Sequence, residues 1–446
     1  MTYQLPEKIL YILRTLQEHH KEAYLVGGSV RDLLMNRPVH DYDITTNALP
    51  NETMKIFEET GCKVLPTGLQ HGTISVRLSD QTIEITTYRV EGDYLNHRAP
   101  SSVSFTRNLV DDLSRRDFTI NAIAYHPEEG FIDPYQGRTD IENKIIRCVG
   151  NAQERMQEDA LRILRALRFH ASLNFSIEDQ TQTAIRENAH LLPFVSKERI
   201  QTEFNKILLS DYPDTLTMLR TYHVLPYILN GYEIIYDVHQ HNPWHIYDIF
   251  THTDVALNHS IGYPLASKLA IIFHDIGKVK TQTFDEHGIA HYKKHPLVSA
   301  DIAVAVLKEM KYSNAVIEEV RTLILYHDYY VKENRRVLRR FLSHLDNKED
   351  LAQRILDVQL ADDMAKNKER VQEKIDVILS CKKLLKQMIE EDDTMSLKKL
   401  AINGRDVQEL GYQGAAIGKI LQECLKHVID HPQDNKRDIL VLLIKK

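Results

Sequence analysis

Leu25-Val-Gly-Gly-Ser-Val-Arg-Asp32, followed closely by His40-Asp-Tyr-Asp-Ile44, is the stretch that decides how this chain is read. An apolar, strand-like run breaks at Gly27-Gly28, where the backbone can turn tightly and approach a ligand. Ser29, Arg31 and Asp32 then follow as polar groups. Asp41 and Asp43 stand two residues apart, which puts both carboxylates on one face of an extended strand. Like charges that close repel unless a cation lies between them. Two hard oxygen ligands beside substrate phosphates suit Mg²⁺. The combination predicts a nucleoside triphosphate site for phosphoryl or nucleotidyl transfer.

The 446 residues leave room for several domains with buried cores. A formal net charge of −7 argues against a globally basic nucleic-acid binder, but not against a local basic groove. Cys62, Cys148, Cys381 and Cys424 show no paired spacing. Neither a disulfide scaffold nor a cysteine zinc site is indicated, and the pattern fits a reducing cytoplasm. Met1 to Lys21 has no basic segment leading into an apolar one, and no uninterrupted apolar run reaches ~18 residues. The expectation is a soluble, cytoplasmic protein with no membrane partner.

Residues 1 to about 135 mix helical and strand signals. Ile9, Leu13 and Leu16 keep helical spacing, Tyr24 to Val26 reads as a strand, and Thr73–Leu78 and Thr82–Arg89 alternate with period two. Beyond about 140 amphipathic helical patterns dominate. The expected fold is α+β: a small head with a β-sheet and helices, then an all-helical body. Turn-rich points such as Asp133-Pro134 and Asn242-Pro243 mark the boundaries. They give a catalytic head (1–140), a helical neck (141–235), a third domain (236–345) and a helical tail (346–446).

Further groups join the first motif. On the Thr82–Arg89 strand, Glu84 shares a face with Thr86, so a strand pairing beside Asp41 would make Glu84 a third acid. Asp112-Leu-Ser-Arg-Arg-Asp117 carries two adjacent arginines, whose forks suit phosphate. Neighbours cannot both face inward on one regular element, so one of the two is expected at the nucleotide. Glu154 to Phe169 reads as one helix, with Leu161, Leu164 and Phe169 on its apolar side. Asp159, Arg162, Arg165 and Arg168 recur every three residues as a polar stripe. Cytosine and adenine both present an exocyclic amine beside a ring-nitrogen acceptor. Asp159 accepting and Arg162 donating would admit C and A and reject G and U.

Together these motifs resemble the class II tRNA nucleotidyltransferases, comprising CCA-adding enzymes and bacterial poly(A) polymerases. The matching text is Val26-Gly-Gly-Ser-Val-Arg-Asp, Asp41-Tyr-Asp, Asp112-Leu-Ser-Arg-Arg-Asp-Phe-Thr-Ile-Asn-Ala and Glu158-Asp-Ala-Leu-Arg162, covering roughly the first 210 residues. The resemblance implies a nucleotidyltransferase head with helical neck, body and tail, acting on tRNA with CTP and ATP. It implies that Asp41 and Asp43 hold catalytic Mg²⁺, with Glu84 the third catalytic acid if its strand pairs beside them. Gly27, Gly28, Ser29, Arg31, Arg116 and Asp117 would surround the triphosphate and sugar, and Asp159, Arg162, Arg165 and Arg168 the base. Tyr88–Phe105 looks like the full-length loop that enzymes adding only CC have shortened. Met35-Asn36 and Asn96 depart mildly from the family pattern.

Histidines crowd residues 239 to 295, including the helical run Leu269-Ala-Ile-Ile-Phe-His-Asp-Ile-Gly-Lys278. An ionisable His274-Asp275 pair beside apolar residues needs a partner. Imidazoles and carboxylates suit a divalent transition metal. The order resembles the HD phosphohydrolase superfamily, which implies His252, His274, Asp275 and Asp362 as core ligands, with His295 and His327 completing a two-metal site. Cyclic or terminal phosphates at RNA ends would be fitting substrates. Ile402–Leu421 resembles a tail element, with Gly411 and Gly414 in a turn and Ile417 and Leu421 packing inward. An A-adding enzyme or poly(A) polymerase would use the same base-reading pair. A nucleotide-sensing HD phosphohydrolase is the alternative from another class, and it has no need of Asp41, Asp43 and Arg116.

Overall fold

The computed structural model describes residues 3–445 apart from Asp80, Asp93, Asn96, Arg98 and Ser101. The departure at Asn96 and part of the Tyr88–Phe105 loop therefore lie outside the described residues. Two compact units emerge: residues 1–210 with 218–228, and residues 211–217 with 229–446.

In the first unit, seven strands form one sheet: β1 (Ala23–Val26), β2 (Asp43–Thr46), β3 (Lys63–Gly68), β4 (Thr73–Leu78), β5 (Gln81–Thr87), β6 (Ala124–His126) and β7 (Gly130–Ile132). Their spatial order is β7-β6-β1-β2-β5-β4-β3. β2 and β5 run parallel, and every other pair is antiparallel. Alternation decides the faces. Ile83 and Ile85 are buried while Thr82 and Glu84 are exposed, as one buried face requires. Helix α1 (Glu7–Glu18) buries Ile9, Ile12, Leu13 and Leu16, and α3 (Pro50–Glu59) buries Ile56 and Phe57. Between them in sequence, α2 (Gly28–Leu34) starts directly after β1.

Four further helices carry the polar groups of this unit: α4 (Leu109–Ser114), α5 (Ala152–Glu158), α6 (Leu161–Leu173) and α7 (Lys197–Leu208). The single helix expected over Glu154–Phe169 is in fact two. Asp159 adopts extended geometry at φ −133° and ψ 102°, and its carboxylate accepts the Leu161 N–H at 3.1 Å. The second helix thus begins on a side-chain cap, because a carboxylate satisfies an orphan donor at a helix start.

Among its described residues the second unit has one short hairpin, Thr283–Phe284 with Ala290–His291, and is otherwise helices and their connections. Its site is carried by α8 (Ile249–Asn258), α9 (Leu265–Phe273), α10 (His295–Glu309), α11 (Asn314–Tyr326) and α12 (Glu349–Met364). Residues 266–273 of α9 are all buried, as expected for a helix enclosed by others. The helical run expected through Lys278 stops at Phe273, with His274 as its cap. Gly277 then lies so close to α10 that a Cβ would stand 2.6 Å from the His295 carbonyl and the Ser299 nitrogen. In the tail, Gly411 and Gly414 take positive φ between helices, and Ile417 and Leu421 pack on Val407, Cys424 and Val428.

Candidate functional site

In the first unit, β1 and β2 deliver the acidic end of the sheet. Val26 lies opposite Asp43 across the β1–β2 ladder, and Asp43 is in register with Glu84 across the parallel β2–β5 ladder. Asp41 and Asp43 interact electrostatically. Among the described residues, Asp41, Asp43 and Glu84 do not bring three oxygens within 4.8 Å of one another. Burial raises the Asp43 carboxyl above its ordinary value; the Arg116 guanidinium opposes that rise and Asp41 adds to it. Gly27, at φ +72°, leaves room for this pairing: a Cβ there would meet Arg116 Nη1 at 3.1 Å and Asp43 Oδ2 at 3.6 Å.

Asp112 organises the arginines. It is wholly buried and accepts from Arg115 Nε at 2.9 Å and Arg116 Nη2 at 3.3 Å. Burial alone would raise its carboxyl, but Arg115 and Arg116 outweigh that and hold it below the usual range. The regular element on which the expectation for these two arginines rested is absent. α4 ends at Ser114, so the two side chains leave an irregular segment and converge on one carboxylate. With Asp43, Thr73, Thr86 and Arg89 they line a cavity of about 200 Å³. Three cations and an acid around so small a space suit a polyphosphate with its counter-cation.

The remaining predicted residues lie alongside. The Ser29 hydroxyl donates to the Val26 carbonyl at 2.8 Å, securing the strand end. Arg31 donates to Asn121 at 2.9 Å, and Asn121 in turn donates to Asp117 at 3.2 Å. Asp117 accepts from Arg165 at 2.7 Å. The guanidiniums of Arg31, Arg165 and Arg168 all stand over the Phe169 ring, at 5.1, 5.6 and 4.2 Å, where the ring quadrupole attracts cations.

The Asp159–Arg168 stripe is therefore not a solvated face. Arg162 pairs with Glu158 and donates to the Arg115 carbonyl at 3.1 Å. Arg168 pairs with Glu203 at 2.9 Å and Asp159 with Arg199 at 2.8 Å. Sequence reasoning missed Arg199 and Glu203, both on α7, because no spacing rule connects them to α6. Asp112 had a signal, three and four residues before Arg115 and Arg116. His97 touches the same region through its carbonyl, which accepts the Ala160 N–H at 3.1 Å.

The second unit gathers all six residues expected there. His252, His274, Asp275 and Asp362 form one convergent set; Asp275, His295 and His327 form another, so Asp275 bridges the two. Asp362 comes from α12, beyond residue 345. His252 Nε2 stands 3.0 Å from Asp362 Oδ1 and 3.4 Å from Asp275 Oδ2. His295 Nε2 is 3.3 Å from Asp275 Oδ1. Each imidazole is oriented through Nδ1: His252 to the Ala365 carbonyl, His274 to Ile271, His295 to Tyr292 and His327 to Ile324, at 2.7 to 3.3 Å. That arrangement turns every Nε2 inward, toward the two carboxylates or a neighbouring imidazole, as ligand histidines require.

Two consequences favour a metal. His295 and His327 face each other Nε2 to Nε2 at 3.1 Å, so two lone pairs oppose unless a proton or cation lies between. His274 Nε2 is buried and faces Asp275 Oδ2 at 3.3 Å and Asp362 Oδ1 at 3.5 Å, at angles too poor for a hydrogen bond to either. The donor set, four imidazoles and two carboxylates, suits divalent transition ions. A cavity of about 330 Å³ opens beside it, lined by Lys278, Lys293, Lys366 and Lys374 with Trp244 and Tyr330. His245, also on this wall, sits 3.4 Å from Lys278 Nζ and was not singled out from the sequence.

Three family descriptions match the chain: "Poly A polymerase head domain" over residues 23–147, "Probable RNA and SrmB-binding site of polymerase A" over 174–234, and a tRNA nucleotidyltransferase domain 2 over 297–444. The CCA-adding enzyme of Bacillus cytotoxicus is 46% identical over 235 residues, 52% of this chain and 58% of that protein. That of Staphylococcus saprophyticus is 48% identical over 212 residues, 48% of this chain and 52% of that protein. The match thus spans about half the length of these curated relatives. The Bacillus stearothermophilus CCA-adding enzyme in complex with CTP superposes with a TM-score of 0.75 at 28% identity, over 99% of this chain and 98% of that one. The Thermotoga maritima CCA-adding enzyme complexed with tRNA shares the fold, with a TM-score of 0.60 at 18% identity over 99% and 96% of the two chains. Among the described residues, no helix is long and apolar enough to cross a membrane.

Proposed function

Since this chain belongs to the family of CCA-adding enzymes and poly(A) polymerases, we propose that it adds C, C and A to the 3′ end of tRNA, without a nucleic-acid template, from CTP and ATP. The observation that carries this reading is the Asp43–Arg116 arrangement around Gly27, on the wall of a cavity also lined by Arg89 and Arg115. Asp41 and Asp43 would hold the Mg²⁺ ions, with Glu84 in register beside them. Bound there, such ions lower the pKa of the attacking 3′-hydroxyl and neutralise the departing pyrophosphate.

The chain's own groups do the rest. Arg116 and its neighbours bind the triphosphate as the α-phosphorus is attacked in line, and Arg31, Asn121 and Asp117 brace the wall beside it. Asp159 accepts the base's exocyclic amine while Arg162 donates to its ring nitrogen. Catalysis here is mostly positioning and charge stabilisation. Four cysteines that remain free thiols accord with a cytoplasmic setting.

The test uses tRNA transcripts lacking CCA, or ending in C or CC, with labelled CTP and ATP supplied separately. Addition of CTP to the bare end and of a single A after CC is expected. Extension only by ATP on CC ends would make it an A-adding enzyme, and unlimited A addition to unrelated RNA a poly(A) polymerase.

We also propose that the His/Asp cluster holds two divalent transition-metal ions and hydrolyses phosphoesters, a reading supported by the opposed His295 and His327 nitrogens. His252, His274 and Asp362 would hold one ion, His295 and His327 the other, with Asp275 between them. Metal analysis of the purified protein, with 2′,3′-cAMP hydrolysis under Ni²⁺, Mn²⁺ and Co²⁺, tests it. Protein that binds none of these ions would leave the cluster as scaffold.

A further inference from the structure

Two lysines sit on the carboxylates that the metal centre would use. Lys278 Nζ lies 2.6 Å from Asp275 Oδ2, the same oxygen that faces His252 and His274 at 3.4 and 3.3 Å. It also donates to Gln240 Oε1 at 2.8 Å and lies 3.4 Å from His245 Nε2. Lys366 Nζ lies 2.8 Å from Asp362 Oδ2 and 2.8 Å from Asp363 Oδ1. Lys293 and Lys374 line the same cavity, and Asp328 joins them on its wall.

Charge then limits what the pocket can accept. Lys278 and Lys366 already pair with Asp275 and Asp362, the two carboxylates that the ions would use. Two divalent ions would add four positive charges beside these two ammoniums. Uncompensated buried charge is strongly disfavoured. A tetrahedral dianion with several oxygens relieves this, because it can face both metals and the lysines at once.

We propose that this pocket takes up its metal ions and a phosphoryl anion cooperatively, with Lys278 and Lys366 making metal affinity depend on the anion. The proposal rests on the metal-centre reading above. Trp244 and Tyr330 flank the Lys374 amine at 4.8 and 4.4 Å, so the rim offers aromatic faces to a base attached to the phosphate. Inorganic phosphate and a nucleoside monophosphate share the required chemistry, and the two are separate arms of the test.

Trp244 is the chain's one tryptophan and, at 38% exposure on the cavity rim, reports binding by fluorescence. The full chain, stripped with chelator, is titrated with Mn²⁺ in buffer containing chloride, inorganic phosphate or AMP at matched ionic strength. Bound Mn²⁺ is counted independently by elemental analysis. The apparent affinity is expected to rise roughly tenfold or more with phosphate, within the usual range for coupled sites. A larger rise with AMP would assign the aromatic rim to a base. Lys278→Met and Lys366→Met should bind Mn²⁺ tightly without phosphate and lose the enhancement, whereas Lys366→Arg should retain it. Equal Mn²⁺ affinity with and without phosphate or AMP in the parent protein overturns the proposal while leaving the metal centre intact. Methionine variants that fold and keep full phosphate dependence overturn the role of the lysines. No binding of Mn²⁺, Ni²⁺ or Co²⁺ under any condition removes the metal-centre reading itself.

Discussion

Arg199 grips the Asp159 carboxylate with both ends of its guanidinium, Nη2 to Oδ2 at 2.8 Å and Nη1 to Oδ1 at 3.4 Å. Asp159 Oδ1 also accepts the Leu161 N–H. A carboxylate held at three points has one orientation, and a base reader needs one. Arg199→Met leaves only the helix cap. Incorporation of CTP and ATP should fall about tenfold in kcat/KM, and discrimination against UTP and GTP should relax by about 1–2 kcal/mol, the scale of one lost bidentate contact. Arg199→Lys keeps the charge without the fork and should recover part of the loss. Single-nucleotide extension with each of the four triphosphates measures both effects. Unchanged selectivity in Arg199→Met would remove this arginine from base reading.

Asp43→Asn should abolish nucleotide addition, by about three orders of magnitude or more, while tRNA binding measured by filter retention persists. Several kcal/mol of charge stabilisation is lost with a metal ligand. In the metal-free protein burial raises Asp43 and Arg116 opposes that rise, so its carboxyl should titrate above the ordinary range, and higher still in Arg116→Met, where the opposing cation is gone. Titration of the carboxyl by NMR in metal-free buffer measures this. An ordinary carboxylate value in both proteins would mean that neither burial nor Arg116 acts on Asp43.

What was legible in the sequence follows the reach of local rules. The strand bearing Glu84 is readable from Thr82 to Ile85, because one buried face forces alternation. The six residues of the His/Asp cluster are readable through the resemblance to the HD phosphohydrolase superfamily, since no spacing rule links His252 to Asp362 across 110 positions. The break at Asp159 is not readable. Glu154 to Phe169 contains no glycine or proline, and the interruption depends on a cap plus Arg199 forty positions away. Glu203 opposite Arg168 was hidden for the same reason: only the packing of α6 on α7 brings them together. Lys278 and Lys366 have helical spacing to their aspartates, but that spacing alone resembles any surface ion pair.

The buried Asp117–Arg165 pair should give stability a defined pH dependence. Burial alone would raise Asp117, yet Arg165, Asn121 and Arg162 together hold its carboxyl down at about 2. A carboxyl depressed on folding contributes stability above its unfolded value near 4, and that contribution disappears as pH falls toward 2. The linked stabilisation is about 2–3 kcal/mol at neutral pH. Asp117→Asn should therefore lower stability by that order at pH 7 and by progressively less from about pH 5 downward. Urea unfolding at both ends of this range measures it. A difference independent of pH would mean that the pair contributes no linked charge.

Gly27 and Gly28 stand together in the sequence but should respond differently to alanine. Gly28 lies within α2, and a Cβ there would meet only Arg31, at 3.5 Å, an ordinary contact. Gly27 sits at φ 72° and ψ −138°, a region that side chains avoid at a cost of about 1–3 kcal/mol. Its Cβ would also press on Arg116 Nη1 and crowd Asp43 Oδ2. Gly27→Ala should therefore lose both stability and catalysis, with kcat falling well beyond what the unfolded fraction explains, because the displaced groups are those proposed to meet the triphosphate and its metal. Gly28→Ala should stay within about tenfold of the parent and unfold at nearly the same denaturant concentration. Thermal or urea unfolding alongside CTP incorporation, assayed where both variants remain folded, separates the two. Equal losses at the two positions would mean that the approach of Arg116 to Asp43 does not depend on the missing Cβ.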